Sequence, residues 1–219
     1  MMMRGVKGVV HSIDSLSAVD GPGLRYLIFL QGCMRRCVFC SQPDTWKIHR
    51  RADRVEGDGS LSQIGGLVYT GDLIEQIRRY VPYLRHHGGG VSCSGGEPLL
   101  QAEFVADLFE RVGDGLGLTT VLDTAGMGDP KLFDAVLKKT DLVLLCAKSF
   151  DADKHYRLSN VRVSHLHKFV DALDRNLQPF ALRYVFIPDH PAYRTDDDKD
   201  LDDIAAFVNQ RPHCAYAQI

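Results

Sequence analysis

Apolar residues follow two alternating rhythms along the chain. Short runs rich in Val, Ile, Leu, Thr and aromatic residues occupy 25–31, 91–94, 119–124, 141–146, 182–187 and 215–219, which predicts strands. Between them the period lengthens to that of a helix. Leu73, Ile74, Ile77, Tyr80 and Val81 form one stripe, and Phe104, Val105, Leu108, Phe109 and Val112 a second. Leu132, Phe133, Val136 and Leu137 follow, then Leu166, Phe169, Val170, Leu173 and Leu177, then Leu201, Ile204, Ala205 and Val208. Six strands with helical connections predict an α/β fold with a mostly parallel sheet and right-handed crossovers. Six units are too few for a closed eight-stranded barrel, which leaves an open, curved partial barrel or a doubly wound sheet. Either places the ligand site at the carboxyl ends of the strands.

The irregular stretch 49–70, with its charged and glycine-bearing run, is expected to be a surface insertion. Asp196-Asp197-Asp198 precedes the last stripe and is expected to cap it. With 219 residues, one domain over 1–219 is the default. The 26 Lys and Arg against 28 Asp and Glu leave a formal net charge of −2, so no basic footprint points to nucleic acid or an anionic membrane. No apolar run approaches the ~20 residues that span a bilayer, and no secretory signal is visible near the start. A cytoplasmic location is expected. In a reducing compartment the six cysteines are ligands, reactive groups or buried hydrophobes rather than disulfides.

Three of them stand together directly after the first predicted strand, in Gly32-Cys33-Met34-Arg35-Arg36-Cys37-Val38-Phe39-Cys40. A structural zinc site takes four protein ligands, and no second close pair follows. A four-iron cluster held by Cys33, Cys37 and Cys40 alone would leave one iron open, as catalytic metal sites do. Cys93, Cys146 and Cys214 lie singly in or beside predicted strands and read as small buried hydrophobes.

The three-then-two cysteine spacing is similar to the signature of the radical S-adenosylmethionine (SAM) superfamily. The neighbouring motifs narrow the likeness: Val19-Asp20-Gly21-Pro22-Gly23-Leu24-Arg25 before the cluster, Asp44-Thr45-Trp46 after it, and Ser94-Gly95-Gly96-Glu97-Pro98 ending the second predicted strand. With Gln101-Ala102-Glu103-Phe104-Val105 and Arg183-Tyr184-Val185, the chain resembles the glycyl radical enzyme activases. The resemblance implies an open radical SAM partial (β/α)6 barrel. It also implies a [4Fe-4S] cluster on the three cysteines, with SAM chelating the fourth iron. One electron from a flavodoxin or ferredoxin would cleave SAM, and the 5′-deoxyadenosyl radical so formed would take a hydrogen atom from a glycine of the partner enzyme.

Residue by residue, the resemblance puts Phe39 and Ser41 beside the adenosine and Gly95, Gly96 and Glu97 at the methionine amino group. It puts Lys148 at the SAM site, and Asp123 and Thr124 near the SAM carboxylate, where a monovalent cation binds. Asp20 would meet the glycyl-radical peptide. Alternatives for these residues are a turn for Asp20 and for Gly95-Gly96, a helix cap for Asp123-Thr124, and a solvated lysine for Lys148.

Three departures stand against this match. Cys146 occupies the cation-site position where the family carries Asp, and Ala125 replaces an Asn. The chain stops at Ile219 in its sixth predicted strand, before a family segment that includes a SAM-contacting His, so a domain lacking the family's C-terminal end is expected. Two other functions remain open at this point: another small radical SAM enzyme, or an impaired homologue serving as a regulatory subunit.

Overall fold

The computed structural model describes residues 4–47 and 66–219. Its elements in chain order are β1 (Lys7–Ser17), β2 (Arg25–Leu30), β3 (Gly66–Tyr69), α1 (Thr70–Ile77), α2 (Val81–His86), β4 (Gly90–Gly95), α3 (Ala102–Leu116) and β5 (Thr119–Thr124). There follow α4 (Phe133–Leu137), β6 (Leu142–Cys146), α5 (Ala152–Ser159), α6 (Ser164–Asn176), β7 (Phe180–Arg183), α7 (Asp198–Asn209) and β8 (Cys214–Gln218). One open sheet takes all the strands in the order β3-β1-β2-β4-β5-β6-β7-β8. From β2 through β8 neighbours run parallel, and β1 is antiparallel to both β2 and β3.

Each of the six predicted strands has a counterpart, and two more extend the sheet on the β2 side; the strand expected over 182–187 is corrected to Phe180–Arg183, because past Arg183 the chain leaves the sheet. The expectation of a surface insertion over 49–70 is corrected for 66–70, which supplies β3 and the first residue of α1. The rest of that stretch lies outside the described residues. The predicted stripe from Leu73 to Val81 is divided between α1 and α2, with Pro82 in the first turn of the second helix. Asp197 caps α7 as expected, its carboxylate accepting from the Asp200 N–H at 2.9 Å.

Parallel register puts paired residues on one face. Ile28, Cys93, Leu122, Val143 and Phe180 form a row across five strands, and each is fully buried in the main core. The predicted stripe of α3 packs there too, with Phe104, Val105, Leu108, Phe109 and Val112 all buried. At about 1.5–3 kcal/mol per fully buried side chain, this helix-covered face is the chief source of stability. Cys93 behaves as the small hydrophobe expected.

The opposite face is apolar at its base, where Val121, Leu144 and Ala181 form a small separate cluster. One step toward the carboxyl ends it turns polar, at Ser94, Asp123, Cys146 and Arg183. Residues from β1 through β8 line one cavity on this face, so the sheet is curved into a trough. Arg25 secures the closed end. Fully buried, it donates to Ser92 Oγ (2.9 Å), Thr119 Oγ1 (2.7 Å), Val91 O (2.7 Å), Thr119 O (3.1 Å) and Pro22 O (3.3 Å). Burial lowers its pKa to about 10. The Ser92 hydroxyl in turn donates to Asp20 O at 2.7 Å, fixing the β1–β2 loop inside the trough.

Candidate cluster and cofactor site

β2 ends at Leu30 and the chain passes through Gly32 into the cysteine loop, which is held from two sides. Gly32 N–H donates to Thr45 O (2.7 Å) and Cys33 N–H to Trp46 O (3.1 Å). The Gln31 amide reaches Asp44 O (3.0 Å) and Lys47 O. On the other side Arg36 and Val38 N–H donate to Ser159 O and Leu158 O, both at 3.0 Å. Those carbonyls end α5, where a helix leaves acceptors without intrahelical donors. The loop and α5 thus satisfy each other.

Cys33, Cys37 and Cys40 all line the trough's cavity, about 660 Å³ in volume, within the range of ~300–1,000 Å³ usual for ligand pockets. The same walls carry Asp20, Phe39, Ser41, Gly95, Gly96, Glu97, Asp123, Thr124, Cys146 and Lys148. Residues spread over more than a hundred positions of sequence are brought to one place.

Burial pushes the Cys33 thiol up to about 11 and raises that of Cys37. Among the described residues no three Cys, His, Asp or Glu side chains close around a single ion. Three thiols spread over one cavity wall instead suit a polynuclear cluster, in which each thiolate takes a separate iron. A further sign that the cavity takes an anionic group is the Arg35 guanidinium, buried on its wall. The donor set fits a [4Fe-4S] cluster.

Several expected residues are already committed to protein partners. Glu97 is buried and accepts from Leu99 N–H (3.2 Å), Ala125 N–H (3.1 Å) and the Thr124 hydroxyl, so its carboxylate joins the ends of β4 and β5. Burial raises its pKa, against the pull of Arg35 and these donors. The glycines have a backbone reason. A Cβ on Gly95, at φ +104°, would lie 2.5 Å from Leu30 N, and one on Gly96 would lie 2.2 Å from Gly32 O. Bare glycines let the end of β4 press against the chain entering the cysteine loop.

Cys146 is not the isolated hydrophobe that position alone suggests. Its Sγ–H donates to Asp123 Oδ1 at 2.9 Å, while Ser94 Oγ–H donates to Asp123 Oδ2 at 2.7 Å. Burial and the Asp123 charge both raise the Cys146 pKa, which keeps the thiol protonated. Arg183 completes the group. It reaches Asp123 Oδ2 (3.3 Å), Asp20 Oδ1 (3.1 Å), Val19 O (2.8 Å) and Gln218 Oε1 (2.9 Å), tying the first loop to the last strands across the trough. Lys148 Nζ stands 5.1 Å from the Phe39 ring centroid, a cation–π contact on the cavity wall.

Two residues escaped the sequence reading. Arg35 and His155 meet at 3.4 Å although 120 positions apart. His155 Nδ1–H donates to Ser149 O at 2.9 Å, and burial lowers its pKa to about 4. A second arginine inside the cysteine motif was the available signal; nothing in the sequence singles out His155 among nine histidines.

Comparisons with known proteins show the family. A family model described as a 4Fe-4S single cluster domain matches residues 19–169. A radical SAM methyltransferase from Sphaerobacter thermophilus shares the fold, with TM-score 0.57 at 15% identity over 95% of this chain and 62% of that one. The family model, matching more than half of the chain, defines the class as a 4Fe-4S single cluster protein. A crystallised domain of pyruvate-formate lyase-activating enzyme from Bacteroides vulgatus ATCC 8482 superposes with TM-score 0.52 at 28% identity, covering 59% of this chain and 78% of that one. The pyruvate formate-lyase-activating enzyme of Staphylococcus aureus (strain USA300) is 40% identical over 210 residues, 93% of this chain and 76% of its own length. The chain belongs to the family of pyruvate formate-lyase-activating enzymes.

Proposed function

We propose that the protein activates a glycyl radical enzyme, of the pyruvate formate-lyase kind that its relatives' names specify. The observation that supports this reading most is the convergence of Cys33, Cys37 and Cys40 with Lys148 and the Gly95-Gly96 backbone on one open cavity. In this reading the three cysteines hold a [4Fe-4S] cluster. When bound, the cluster and SAM supply a one-electron cleavage and the abstraction of hydrogen from a glycine.

The chain's own residues bind, orient and exclude. Lys148, kept at the wall by Phe39, neutralises the carboxylate of SAM. Backbone carbonyls around Gly95 and Gly96 accept from its amino group, and Phe39 and Ser41 border its adenosine. Asp123 needs no metal cation for charge balance, because Arg183 and the Cys146 thiol already engage it. Asp20, fixed by Arg183, faces the incoming peptide. The rim carries exposed apolar side chains at Val19, Val185 and Ile219, which suits a protein loop rather than a small polar molecule. A flavodoxin or ferredoxin is the proposed electron donor and the cytoplasm the proposed location; among the described residues no helix is long and apolar enough to cross a membrane.

The test mixes anaerobically reconstituted protein, SAM, a reductant and a pyruvate formate-lyase. Appearance of the glycyl radical doublet by paramagnetic resonance is the expected result. A competent cluster with no doublet on that partner would overturn the proposal.

A further inference from the structure

Arg35 and Arg36 lie side by side between two candidate cluster ligands, yet only one behaves as a loop arginine usually does. Arg36 is exposed, donates to Cys33 O (2.8 Å) and Arg35 O (2.6 Å), and lies 4.9 Å from the Trp46 ring centroid. Arg35 turns inward and is 2% exposed on the cavity wall. Its Nη2 donates to Ala125 O and its Nη1 faces His155 Nε2 at 3.4 Å. Both contacts are neutral. With Nδ1–H committed to Ser149 O, His155 offers Nε2 as an acceptor and holds the guanidinium without cancelling its charge.

Burying a guanidinium costs several kcal/mol unless an opposite charge answers it, and the unpaired Nε–H adds to that cost. Glu97 on the same cavity wall feels this charge, but burial favours that carboxyl's neutral form, so an anion in the cavity is the fuller counter-charge. Three thiolates on a [4Fe-4S] core of charge +2 carry about −1 overall, and about −2 after one-electron reduction. A fixed buried cation beside them favours the reduced form, since charges interact strongly where water is excluded.

We propose that Arg35 raises the reduction potential of the cluster, its guanidinium, buried on the cavity wall between two ligand cysteines, stabilising the added electron. The inference rests on the reading of Cys33, Cys37 and Cys40 as cluster ligands. The electron comes from an external low-potential donor, and no bond forms or breaks. Arg35 acts through the cluster and is a positioning residue in this sense.

Reconstituted wild type, Arg35→Met, Arg35→Lys and His155→Glu are titrated potentiometrically without SAM, following the paramagnetic signal of the reduced cluster. In Arg35→Met the ratio of reduced to oxidised cluster at a fixed potential should fall at least tenfold, which is 59 mV for a one-electron couple. Arg35→Lys should retain most of the wild-type value. His155→Glu sets a carboxylate against the guanidinium and should shift the potential downward as Arg35→Met does. A merely structural role would lower thermal stability and leave the potential where it was, and that result overturns the inference. If Arg35→Met takes up no iron, His155→Glu decides alone, and an unshifted potential there is equally fatal. Wild type that takes up no iron would overturn the cluster reading and this inference together; wild type with a cluster and unshifted variants would overturn this inference only.

Discussion

Lowering the pH from 6.5 toward 4 charges His155 in the unfolded chain before it does so in the folded one. The imidazole is fully buried, and burial, with Arg35 adding to it, lowers its pKa from 6.5 to about 4. Between these values the unfolded chain binds a proton that the native state does not, so acid favours unfolding. Stability from this residue is complete above 6.5 and is lost as the pH falls to about 4. At about 1.4 kcal/mol per pKa unit the full loss is roughly 3 kcal/mol, or about 6–12 °C in melting temperature for a chain of this length. The comparison is His155→Asn, whose amide can still donate to Ser149 O but cannot titrate. Near pH 8 the variant should be less stable by about 1–2 kcal/mol, from the lost Arg35 contact and the smaller side chain. That deficit should shrink below pH 6.5, vanish between about pH 5.8 and 5, and reverse at lower pH. Thermal melts at half-unit pH steps measure the difference, which cancels the carboxylates that both proteins share. Parallel curves would refute the assignment of a neutral, buried His155.

Glu97→Ala strands two backbone N–H groups and the Thr124 hydroxyl, and should cost about 3 kcal/mol in denaturant unfolding. Because burial raises the Glu97 pKa above 4.5, the native state keeps a proton that the unfolded chain has released; wild type should therefore lose stability as pH rises from that value, and Glu97→Gln should lack this slope. Cys146→Asp sets two carboxylates together at Asp123. Its SAM affinity, measured by anaerobic titration, should fall about tenfold when potassium is omitted, a coupling of about 1.4 kcal/mol, whereas wild type should change less than twofold; equal potassium dependence would contradict the thiol's role. Asp20→Ala should lower glycyl radical yield at least tenfold and leave slow, uncoupled SAM cleavage within twofold, and a parallel fall in both would assign Asp20 to the trough instead.

The central parallel strands β2, β5 and β6 were legible because each is a run rich in β-branched and leucine residues, largely buried, whereas β8, Cys214–Gln218, is an exposed edge strand. β1 was not, since Lys7–Ser17 mixes glycine, serine and charge, and Val10 is its only buried large hydrophobic residue. β3 is four residues long and half-exposed, too short to establish a period. The core of α5 is His155, Leu158 and Ser159, so it shows no apolar stripe at all. Its importance comes from its terminal carbonyls, which hold the cysteine loop and have no sequence signature. The site divides similarly. Cys33, Cys37 and Cys40 announce themselves by spacing, and the motif residues by resemblance. The Arg35–His155 contact and the Asp20–Arg183–Asp123–Cys146 network join distant parts of the chain, and only the curvature of the sheet creates them. The resemblance puts Gly95 and Gly96 at the methionine amino group of SAM, and the structure adds a nearer cause in the backbone at Leu30 and Gly32.

Anaerobic reconstitution with iron and sulfide tests the central claim most directly. About four irons per chain, a reduced-state paramagnetic signal that changes on adding SAM, and loss of uptake in Cys33→Ala, Cys37→Ala and Cys40→Ala but not in Cys93→Ala are the predicted results. Tight stoichiometric zinc without iron uptake, or a cluster that survives any of the first three substitutions and ignores SAM, would contradict it.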